Sequence, residues 1–452
     1  MLIRFFVSNV YSFDEQKEFN MLPGRKRSSE RTRLKEHEYK LAGEVGVLKL
    51  ASMYGANAAG KSNFVNALSM LKNIVVRESL CNDQMSTQFK FVERETPQVL
   101  GVEFFQRGKS YYYAIKIDKN IITSEELYES GLGLKDDVLI FERNTDEKGT
   151  VSIRFFSDFE KKKENALLKT VIEKNLARPN KPVLKLLTTL NNPELKHAVE
   201  AFNWFQNTLH ILSPGAKIRA LSQVMDIDTD LQQYAQHIMC AFHVGISKLE
   251  TKKELLSDFF PNKDVVQLMQ DVEASPQKMI SLYRGKQEMI ITKENDKFFI
   301  KRLVLEHEGK NGKTVSFNLE EESEGTVRLL DFMPAFKDLL VREVVYVIDE
   351  VERSIHPLLI KELMRKFSTD NKTKGQLIFT THESNLLDQE IFRQDEIWFA
   401  EKNHNGGTDL YPLSDFKEHN TKDIRKGYLM GRYGSIPFLG NFQDLNWRAY
   451  DD

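Results

Sequence analysis

The sequence predicts an α/β protein in which a mixed sheet carries an antiparallel β subdomain and a helical insertion. An apolar run, "VGVLKLASMYG", leads into a glycine-rich turn, and apolar residues at helical spacing follow that turn. The stretch "GVEFFQRGKSYYYAIKID" contains two β-rich runs joined by a short polar turn, which is the pattern of a hairpin. The run "VVYVIDE" is apolar until its last two residues, as expected for a central strand of a parallel sheet.

These patterns divide the chain into three expected segments. Residues 1–157 should form strands and hairpins around one helix. The buried stripe of that helix would consist of Phe64, Leu68, Leu71 and Val75. Residues 158–275 are interpreted as a helical insertion, because apolar residues recur at helical spacing from 202 to 212 and from 231 to 242. Residues 276–452 return to strand patterns and include "VVYVIDE".

The composition is that of an ordinary globular protein and narrows the functional classes. Of the 452 residues, 41% are hydrophobic and 29% are charged. A formal net charge of -2 gives no general attraction to nucleic acid, so such binding would require a local patch. No apolar run approaches the ~20 residues that a membrane span needs. The two cysteines, Cys81 and Cys240, make no disulfide framework, and we therefore expect a cytoplasmic protein without a membrane partner.

The glycine-rich turn has the spacing of a phosphate-binding loop. Gly55, Gly60, Lys61 and Ser62 satisfy the pattern G-x-x-x-x-G-K-[ST] between a predicted strand and a predicted helix. Backbone N–H groups at such a turn close around phosphate oxygens, helped by the positive end of the helix dipole. Lys61 would reach the β- and γ-phosphates and Ser62 would bind Mg²⁺, so the sequence predicts a nucleotide site.

Two later strands end in residues that would complete this site. Asp349 and Glu350 follow an apolar strand, where an acid would hold Mg²⁺ and a second acid would activate water. His382 ends the strand in "LIFTTHESNLL" and would contact the γ-phosphate. Either feature alone is common, because strands often end in exposed acids and a lone histidine is more often structural. Their order after a phosphate loop favours the functional interpretation.

The segment "SEGTVRLLDF" predicts a capped helix shortly before the acidic strand. Ser323 would cap the helix and Gly325 would lie in its first turn, which makes an anion-binding arrangement. An ordinary capped helix is the alternative. The succession of phosphate loop, capped helix, acidic strand and histidine strand makes the functional interpretation the stronger one.

Together these motifs resemble the ATP-binding-cassette superfamily, in the branch of the chromosome-maintenance (SMC), Rad-type and RecF-type ATPases. Within it, the chain is most similar to the AAA15-type ATPases of bacterial anti-phage defence, which include RloA-like proteins and the AriA subunit of the PARIS system. The resemblance lies in "GANAAGKSN", "SEGTVR", "VIDEVERSIHP", "TTHESNLLD" and the C-terminal "GYLMGRYGSIPFL" at 427–439. It covers both ends of the chain and skips the middle.

The resemblance assigns roles to individual residues. It implies two facing heads, with ATP held by one chain's loop and contacted in trans by Ser323 and Gly325 of the other. The loop motif would add Asn57 and Asn63 to the nucleotide contacts, and His382 would be the switch histidine. The family usually has glycine where Ala58 stands.

Two further segments complete this comparison. The residues 354–356, "SIH", would cross the seam between the two heads. Gln88 is a weak candidate for the family's glutamine loop, and a surface polar residue is an equal alternative.

The implied function is an ATP-hydrolysing switch that uses ATP and Mg²⁺ and works as a homodimer or higher homo-oligomer. It would sense a trigger such as a phage protein and control an effector nuclease encoded nearby. A DNA-binding repair ATPase of the RecF or SMC type is one alternative, and a nucleotide-stabilised scaffold with little turnover is another. The basic stretch at 24–35 leaves direct nucleic-acid binding open, although a solvated loop is the favoured interpretation of it.

Overall fold

The computed structural model describes residues 1–24, 34–41, 45–80, 87–91, 96–216, 221–260, 262–285, 287–416 and 423–436. The chain forms two compact units. The first contains Met1–Pro214, Arg342–Val351 and Leu363–Asp452, and the second contains Gly215–Val341 and Glu352–Glu362. Most of the basic stretch at 24–35 and the end of the C-terminal motif at 437–439 lie outside the described residues.

A seven-stranded antiparallel sheet forms one layer of the first unit, in the order β10-β9-β8-β7-β6-β1-β2. Its strands are β1 (Leu2–Ser8), β2 (Lys17–Asn20), β6 (Gln98–Gln106), β7 (Lys109–Asp118), β8 (Ile121–Glu129), β9 (Val138–Thr145) and β10 (Val151–Phe155). The predicted hairpin is confirmed as β6 and β7. Arg107 and Gly108 form its turn with φ of 47° and 84°, since a two-residue hairpin turn of this kind requires positive φ at both positions. A separate ladder pairs β3 (Glu38–Lys40) with β4 (Gly46–Leu48).

A six-stranded mixed sheet forms the second layer of this unit, in the order β11-β17-β18-β5-β19-β20. Its strands are β5 (Leu50–Tyr54), β11 (Leu209–Leu212), β17 (Val345–Ile348), β18 (Gln376–Thr380), β19 (Ile397–Lys402) and β20 (Thr408–Pro412). The pairs from β11 to β19 are parallel, and β20 adds antiparallel to β19. Because β5, β17 and β18 are buried along their whole length, they are continuously apolar or nearly so.

Helices occur in both units. They are α1 (Lys61–Arg77), α2 (Ser157–Glu160), α3 (Lys163–Val171), α4 (Leu184–Thr188), α5 (Lys196–Asn203), α6 (Leu221–Ile227), α7 (Thr229–Ala241), α8 (Leu256–Phe259), α9 (Asn262–Ala274), α10 (Glu324–Val341), α11 (Pro357–Thr369) and α12 (Ile424–Leu429). Two π-helical turns, Ile172–Leu176 and Trp204–Thr208, extend α3 and α5. Short 3₁₀ turns occur at Lys35–His37, Pro193–Leu195, Lys310–Gly312, Ser384–Leu386, Gln394–Glu396 and Leu413–Phe416.

Helix α1 lies in the core of the first unit between its two sheets. The predicted stripe of Phe64, Leu68, Leu71 and Val75 is confirmed, since all four side chains are buried. The ring of Phe64 makes edge contacts with Phe5 and Phe19, at centroid distances of 5.5 and 5.0 Å. Phe19 in turn lies 4.8 Å from the ring of Trp398 on β19. These aromatic contacts fix the position of the helix that follows the glycine-rich turn.

An antiparallel sheet also organises the second unit. Strands β12 (Ile246–Leu255), β13 (Met279–Arg284), β14 (Gln287–Glu294), β15 (Lys297–Glu308) and β16 (Thr314–Asn318) pair in the order β12-β15-β14-β13, and β16 joins β15. One hydrophobic cluster of this unit contains Leu256, Val265, Val272, Met289, Ile291 and Ile300. Helix α10 begins at Glu324, shortly after this sheet.

The predicted α/β class, mixed sheet and antiparallel subdomain are confirmed, but the helical middle differs from the prediction. Leu209 and Leu212 lie on strand β11, so their assignment to a helix is wrong. The π-helical turn Trp204–Thr208 runs directly into this strand, and the apolar spacing therefore continues across the junction. The segment 158–275 also contains strand β12, and its first part belongs to the first unit. In the part of the chain that is described, no helix combines the length and apolar character needed to cross a bilayer.

Candidate functional site

The glycine-rich turn joins the carboxyl end of β5 to the first residue of α1. Lys61 is that first residue, and its side chain is buried with 5% exposure. Its Nζ donates hydrogen bonds to the carbonyl oxygens of Gly55, at 2.7 Å, and Ala56, at 3.0 Å. The loop therefore folds around its own lysine, which lies where a phosphate group would be bound.

At two positions of this loop the neighbouring atoms leave no room for a side chain, so glycine is required there. A Cβ on Gly55 would lie 2.4 Å from the carbonyl oxygen of Ala400. A Cβ on Gly60 would lie 2.3 Å from Thr408 Oγ1, and the φ of Gly60 is 114°, a conformation that disfavours every other residue. Ala58 also has a positive φ, 63°, at the position where the resembled family usually has glycine. Alanine is therefore strained here, by about 1 kcal/mol.

The remaining polar residues of the loop face solvent or a cavity. Asn57 and Ser62 are exposed, and Asn63 is half-buried. The first turn of α1 contains no acidic residue, so the positive end of its dipole is not compensated within the helix. An exposed serine hydroxyl at this position is available as an oxygen ligand for Mg²⁺.

The acidic pair lies at the same edge of the sheet as the loop. Asp349 and Glu350 follow β17. The backbone of Asp349 still pairs with the neighbouring strand β11, since its N–H donates a hydrogen bond to Leu212 O at 2.9 Å. Asp349 is buried, whereas Glu350 is half-buried with a φ of 50°. Thr380, the last residue of β18, donates its hydroxyl hydrogen to Asp349 Oδ1.

His382 is brought into contact with the loop lysine. Its Nδ1 lies 3.3 Å from Lys61 Nζ, although the two residues are 321 positions apart in the chain. An ammonium group has only donors, so Nδ1 accepts this bond and the ring proton of a neutral His382 lies on Nε2. His382 is exposed as a residue, and its Nε2 is then a hydrogen-bond donor at this edge of the sheet.

A cavity of about 240 Å³ opens beside the start of α1. Its lining residues are Tyr11, Ser12, Asn63, Gln88, Phe89, Lys90, Phe91, Lys402 and Gly406. The combination of aromatic rings, amides and two lysines suits a flat, polar ring next to a negatively charged group. Sequence reasoning had singled out only Asn63 and Gln88 here. The alternation of aromatic residues and lysine in "QFKF" was the available signal for the rest.

Ser323 and Gly325 lie in the second unit and form a capped helix start. Ser323 Oγ accepts a hydrogen bond from Thr326 N at 3.1 Å, as an N-cap residue does. A Cβ on Gly325 would lie 2.5 Å from the carbonyl oxygen of Ser354, so the first turn of α10 packs closely against the turn at 352–356. In that turn Ser354 has a φ of 63°, and His356 Nδ1 accepts from Leu358 N at 3.2 Å. Ser323 and Ser354 are both exposed.

The C-terminal motif at 427–439 packs, in its described part, against β5, the strand that leads into the glycine-rich loop. The ring of Tyr428 lies 6.1 Å from that of Tyr54, the last residue of β5, and 5.7 Å from that of Phe399. Helix α12 also packs against the 3₁₀ turn Ser384–Leu386, which follows His382. The motif therefore supports both segments that meet at Lys61.

A family model, described as "AAA domain, putative AbiEii toxin, Type IV TA system", matches residues 50–388. This match covers three quarters of the chain and includes the loop, the capped helix, the acidic strand and the histidine. The chain belongs to this AAA domain family. No curated protein sequence matches the chain.

Solved structures also align with this AAA-domain chain at low identity. The SMC head domain from Thermotoga maritima is 10% identical, with a TM-score of 0.40, over 91% of this chain and 98% of the other. An SMC head bound to the C-terminal winged-helix domain of ScpA is 11% identical, with a TM-score of 0.42, over 92% and 99%. An SMC head with an extended coiled coil, bound to the C-terminal domain of ScpA from Pyrococcus furiosus, is 12% identical, with a TM-score of 0.38, over 95% and 98%.

Proposed function

We propose that this AAA-domain protein binds and hydrolyses ATP with Mg²⁺, and that it acts as a switch in bacterial anti-phage defence by controlling an effector nuclease encoded nearby. The observation that carries this proposal is the contact between Lys61 and His382 at the edge where β5, β17 and β18 end. The loop lysine, the acidic pair and the histidine thus come from three strands to one edge, which is where open α/β sheets bind ligands.

Binding of the triphosphate would use the loop and the start of α1. Lys61 would exchange the carbonyl oxygens of Gly55 and Ala56 for phosphate oxygens, which are stronger acceptors because they are charged. The nucleoside would occupy the cavity next to Asn63, where its base would meet the rings of Tyr11 and Phe91.

The donor set fits Mg²⁺, which prefers hard oxygen ligands and keeps several waters. Ser62 offers an exposed hydroxyl, and Asp349 offers the carboxylate oxygen that Thr380 does not occupy. When bound, the ion neutralises charge on the phosphates. Glu350 would then orient and deprotonate the attacking water, and His382 would donate its Nε2 hydrogen to the γ-phosphate.

Switching would follow from nucleotide-dependent association of two chains. In our proposal the exposed Ser323 and the close-packed Gly325 of one chain contact ATP held by the loop of the other. The seam would include the exposed turn at Ser354. Contacts made only while the γ-phosphate is present supply the free energy difference between the closed and open states.

The defence role is supported by the family to which the chain belongs. The description of that family names a putative toxin and a type IV toxin–antitoxin system. We propose that the restrained partner here is a nuclease and that a phage protein triggers its release.

Phosphate release by the purified chain tests whether it hydrolyses ATP, and the ATP affinity of variants tests where ATP binds. Lys61→Ala should weaken ATP binding by about 100-fold or more, because charge-assisted hydrogen bonds to two phosphates are lost. Calorimetric titration with ATP measures this, and Lys72→Ala on the same helix is the control, since Lys72 donates to the backbone of Leu209 instead. Equal ATP affinity in the Lys61→Ala variant would contradict the proposed site.

Co-expression with the neighbouring gene tests the regulatory part. We expect the two proteins to co-purify and cell growth to depend on the ATP site. An active ATPase that never co-purifies with the neighbour and whose turnover is stimulated by DNA would instead indicate a repair enzyme. Tight ATP binding without phosphate release would indicate a scaffold.

A further inference from the structure

Thr380 occupies the central position between the two acidic residues and the phosphate loop. It is fully buried at the end of β18, and it faces Met53 of β5 in the register of the sheet. Its hydroxyl donates to Asp349 Oδ1 and accepts from the backbone N–H of Glu350 at 2.9 Å. One hydroxyl therefore contacts both members of the acidic pair.

These two bonds constrain the acidic pair in different ways. A hydroxyl has one hydrogen, and here that hydrogen is directed at Oδ1 of Asp349, so the second carboxylate oxygen of Asp349 remains for a metal or water. The bond from Glu350 N–H holds a residue whose φ of 50° is unfavourable for glutamate. The backbone is further fixed by Asp349 N–H on Leu212 O at 2.9 Å and by Val351 N–H on Thr380 O at 3.1 Å.

We infer that Thr380 is a positioning residue, which orients Asp349 toward Mg²⁺ and holds Glu350 in its left-handed conformation. The inference rests on the proposed function, because it concerns the same nucleotide site. Thr380 itself is fully buried, so in this inference it contacts neither nucleotide nor metal. It acts through Asp349 and Glu350, as a residue that fixes the orientation of a metal ligand does.

The substitution Thr380→Val removes both hydrogen bonds and keeps the shape of the side chain, whereas Thr380→Ser keeps both bonds. Groups that orient a metal ligand are worth about 10- to 100-fold in metal affinity. We therefore expect the Mg²⁺ concentration for half-maximal phosphate release to rise at least about tenfold in Thr380→Val and to change less than about twofold in Thr380→Ser.

A second readout does not depend on turnover. The affinity of a fluorescent ATP analogue is measured with and without Mg²⁺. In Thr380→Val the enhancement by Mg²⁺ should be lost, while the affinity without Mg²⁺ stays as in the wild type. The matched control is Thr208→Val, because Thr208 is also buried but precedes the amino end of β11, at the opposite edge of the parallel strands.

Several outcomes would overturn the inference. A folded Thr380→Val variant with wild-type Mg²⁺ dependence in both measurements would do so, and so would a Thr380→Ser variant as impaired as Thr380→Val. If Thr380→Val does not fold, Thr380→Cys replaces it, because a thiol of similar size is a weaker donor, and the same tenfold rise is expected. A wild-type chain that releases no phosphate contradicts the proposed function, whereas the Mg²⁺ dependence of analogue binding still decides the role of Thr380.

Discussion

At the scale of single residues, the proposed mechanism assigns Glu350 to the attacking water and Asp349 to the metal. Its neighbour Asp349 is buried and bonded by Thr380, whereas Glu350 is half-buried at the same strand end. A carboxylate with access to solvent can orient a water and accept its proton, and an amide cannot accept it. The proposed division of roles between the two acids therefore fits their different burial.

The substitution Glu350→Gln tests that division. Phosphate release should fall about 100-fold or more, because proton transfer is lost, while ATP affinity should stay unchanged. Single-turnover measurement of phosphate release after mixing with ATP separates the two effects. Glu343→Gln is the control, since Glu343 is exposed at the other end of the same strand. Normal turnover in Glu350→Gln would show that another residue activates the water.

At the scale of secondary-structure elements, the glycine-rich loop is constrained by contacts with neighbouring residues as well as by its own backbone angles. Gly60 and Gly108 both have positive φ, 114° and 84°. A Cβ at Gly60 would collide with the side chain of Thr408, whereas a Cβ at Gly108 would meet nothing within 4 Å. A side chain at Gly108 would therefore cause backbone strain alone, whereas a side chain at Gly60 would cause strain and a steric collision.

Alanine substitutions at these glycines should have unequal costs. Gly108→Ala should destabilise the fold by about 1 kcal/mol, which is the strain of the left-handed conformation alone. Gly60→Ala should cost at least about 2 kcal/mol more and should also weaken ATP binding, because Thr408 or the loop must move. Urea unfolding with tryptophan fluorescence measures both costs. Similar values for the two variants would show that the packing of Thr408 does not constrain the loop.

The sequence predicted those elements in which local signals and tertiary packing agree. Strand β5, the loop and helix α1 from 50 to 77, the hairpin around Gly108 and the strands before Asp349 and His382 have apolar patterns or a defined turn. The apolar run at 45–55 was expected to be one strand, but it forms β4 and β5, which belong to different sheets. Strand β11 was missed because the π-helical turn Trp204–Thr208 runs directly into it, so that Leu209 and Leu212 continue the helical spacing of the preceding apolar residues. Helical and strand spacing cannot be distinguished over four such residues.

The candidate site was predictable only where its residues belong to a motif. Gly55, Lys61 and His382 could be placed from spacing and strand order. Tyr11 and Lys402 could not, because they reach the cavity beside α1 through the pairing of distant strands. The contact between Thr380 and the acidic pair was also hidden, since a threonine at a strand end is unremarkable in sequence.

Lys49 makes the stability of the whole molecule depend on pH. Its side chain is fully buried, donates to Asp370 O at 2.6 Å and lies 4.9 Å from the ring centroid of Phe367. Burial lowers the pKa of Lys49 from 10.5 to about 8, although nearby carboxylates oppose the shift. Between these two pKa values Lys49 binds more protons in the unfolded chain than in the folded one. The contribution of Lys49 to the free energy of unfolding therefore rises with pH.

The comparison of the wild type with Lys49→Met isolates this contribution. Below pH 8 Lys49 is charged in both the folded and the unfolded wild type, so the folded state bears the full free-energy cost of burying the charge. Above pH 10.5 Lys49 is neutral in both states and this cost is absent. The free energy of unfolding of the wild type relative to Lys49→Met should therefore rise by on the order of 3 kcal/mol across this window. Denaturant unfolding at a series of pH values measures the difference. A constant difference would show that Lys49 titrates normally.

Assembly is the property by which the proposed switch would act at the scale of the whole molecule. Two identical chains related by a twofold axis would build two equivalent sites, each from one chain's loop and the other chain's capped helix. Lys61→Ala removes the first half of such a site. Ser323→Arg removes the second half, because a large charged side chain replaces the exposed cap of α10.

Mixing these two inactive variants distinguishes a shared site from a site within one chain. A mixed dimer would contain one site with both defects and one site with neither, since the Ser323→Arg chain keeps its loop and the Lys61→Ala chain keeps its cap. At equal amounts and free exchange, half of the dimers are mixed, so phosphate release should recover to about a quarter of the wild-type rate. The ATP affinity of Ser323→Arg alone should match that of the wild type. If Ser323 instead served the loop of its own chain, every site in the mixture would stay defective and no activity would return.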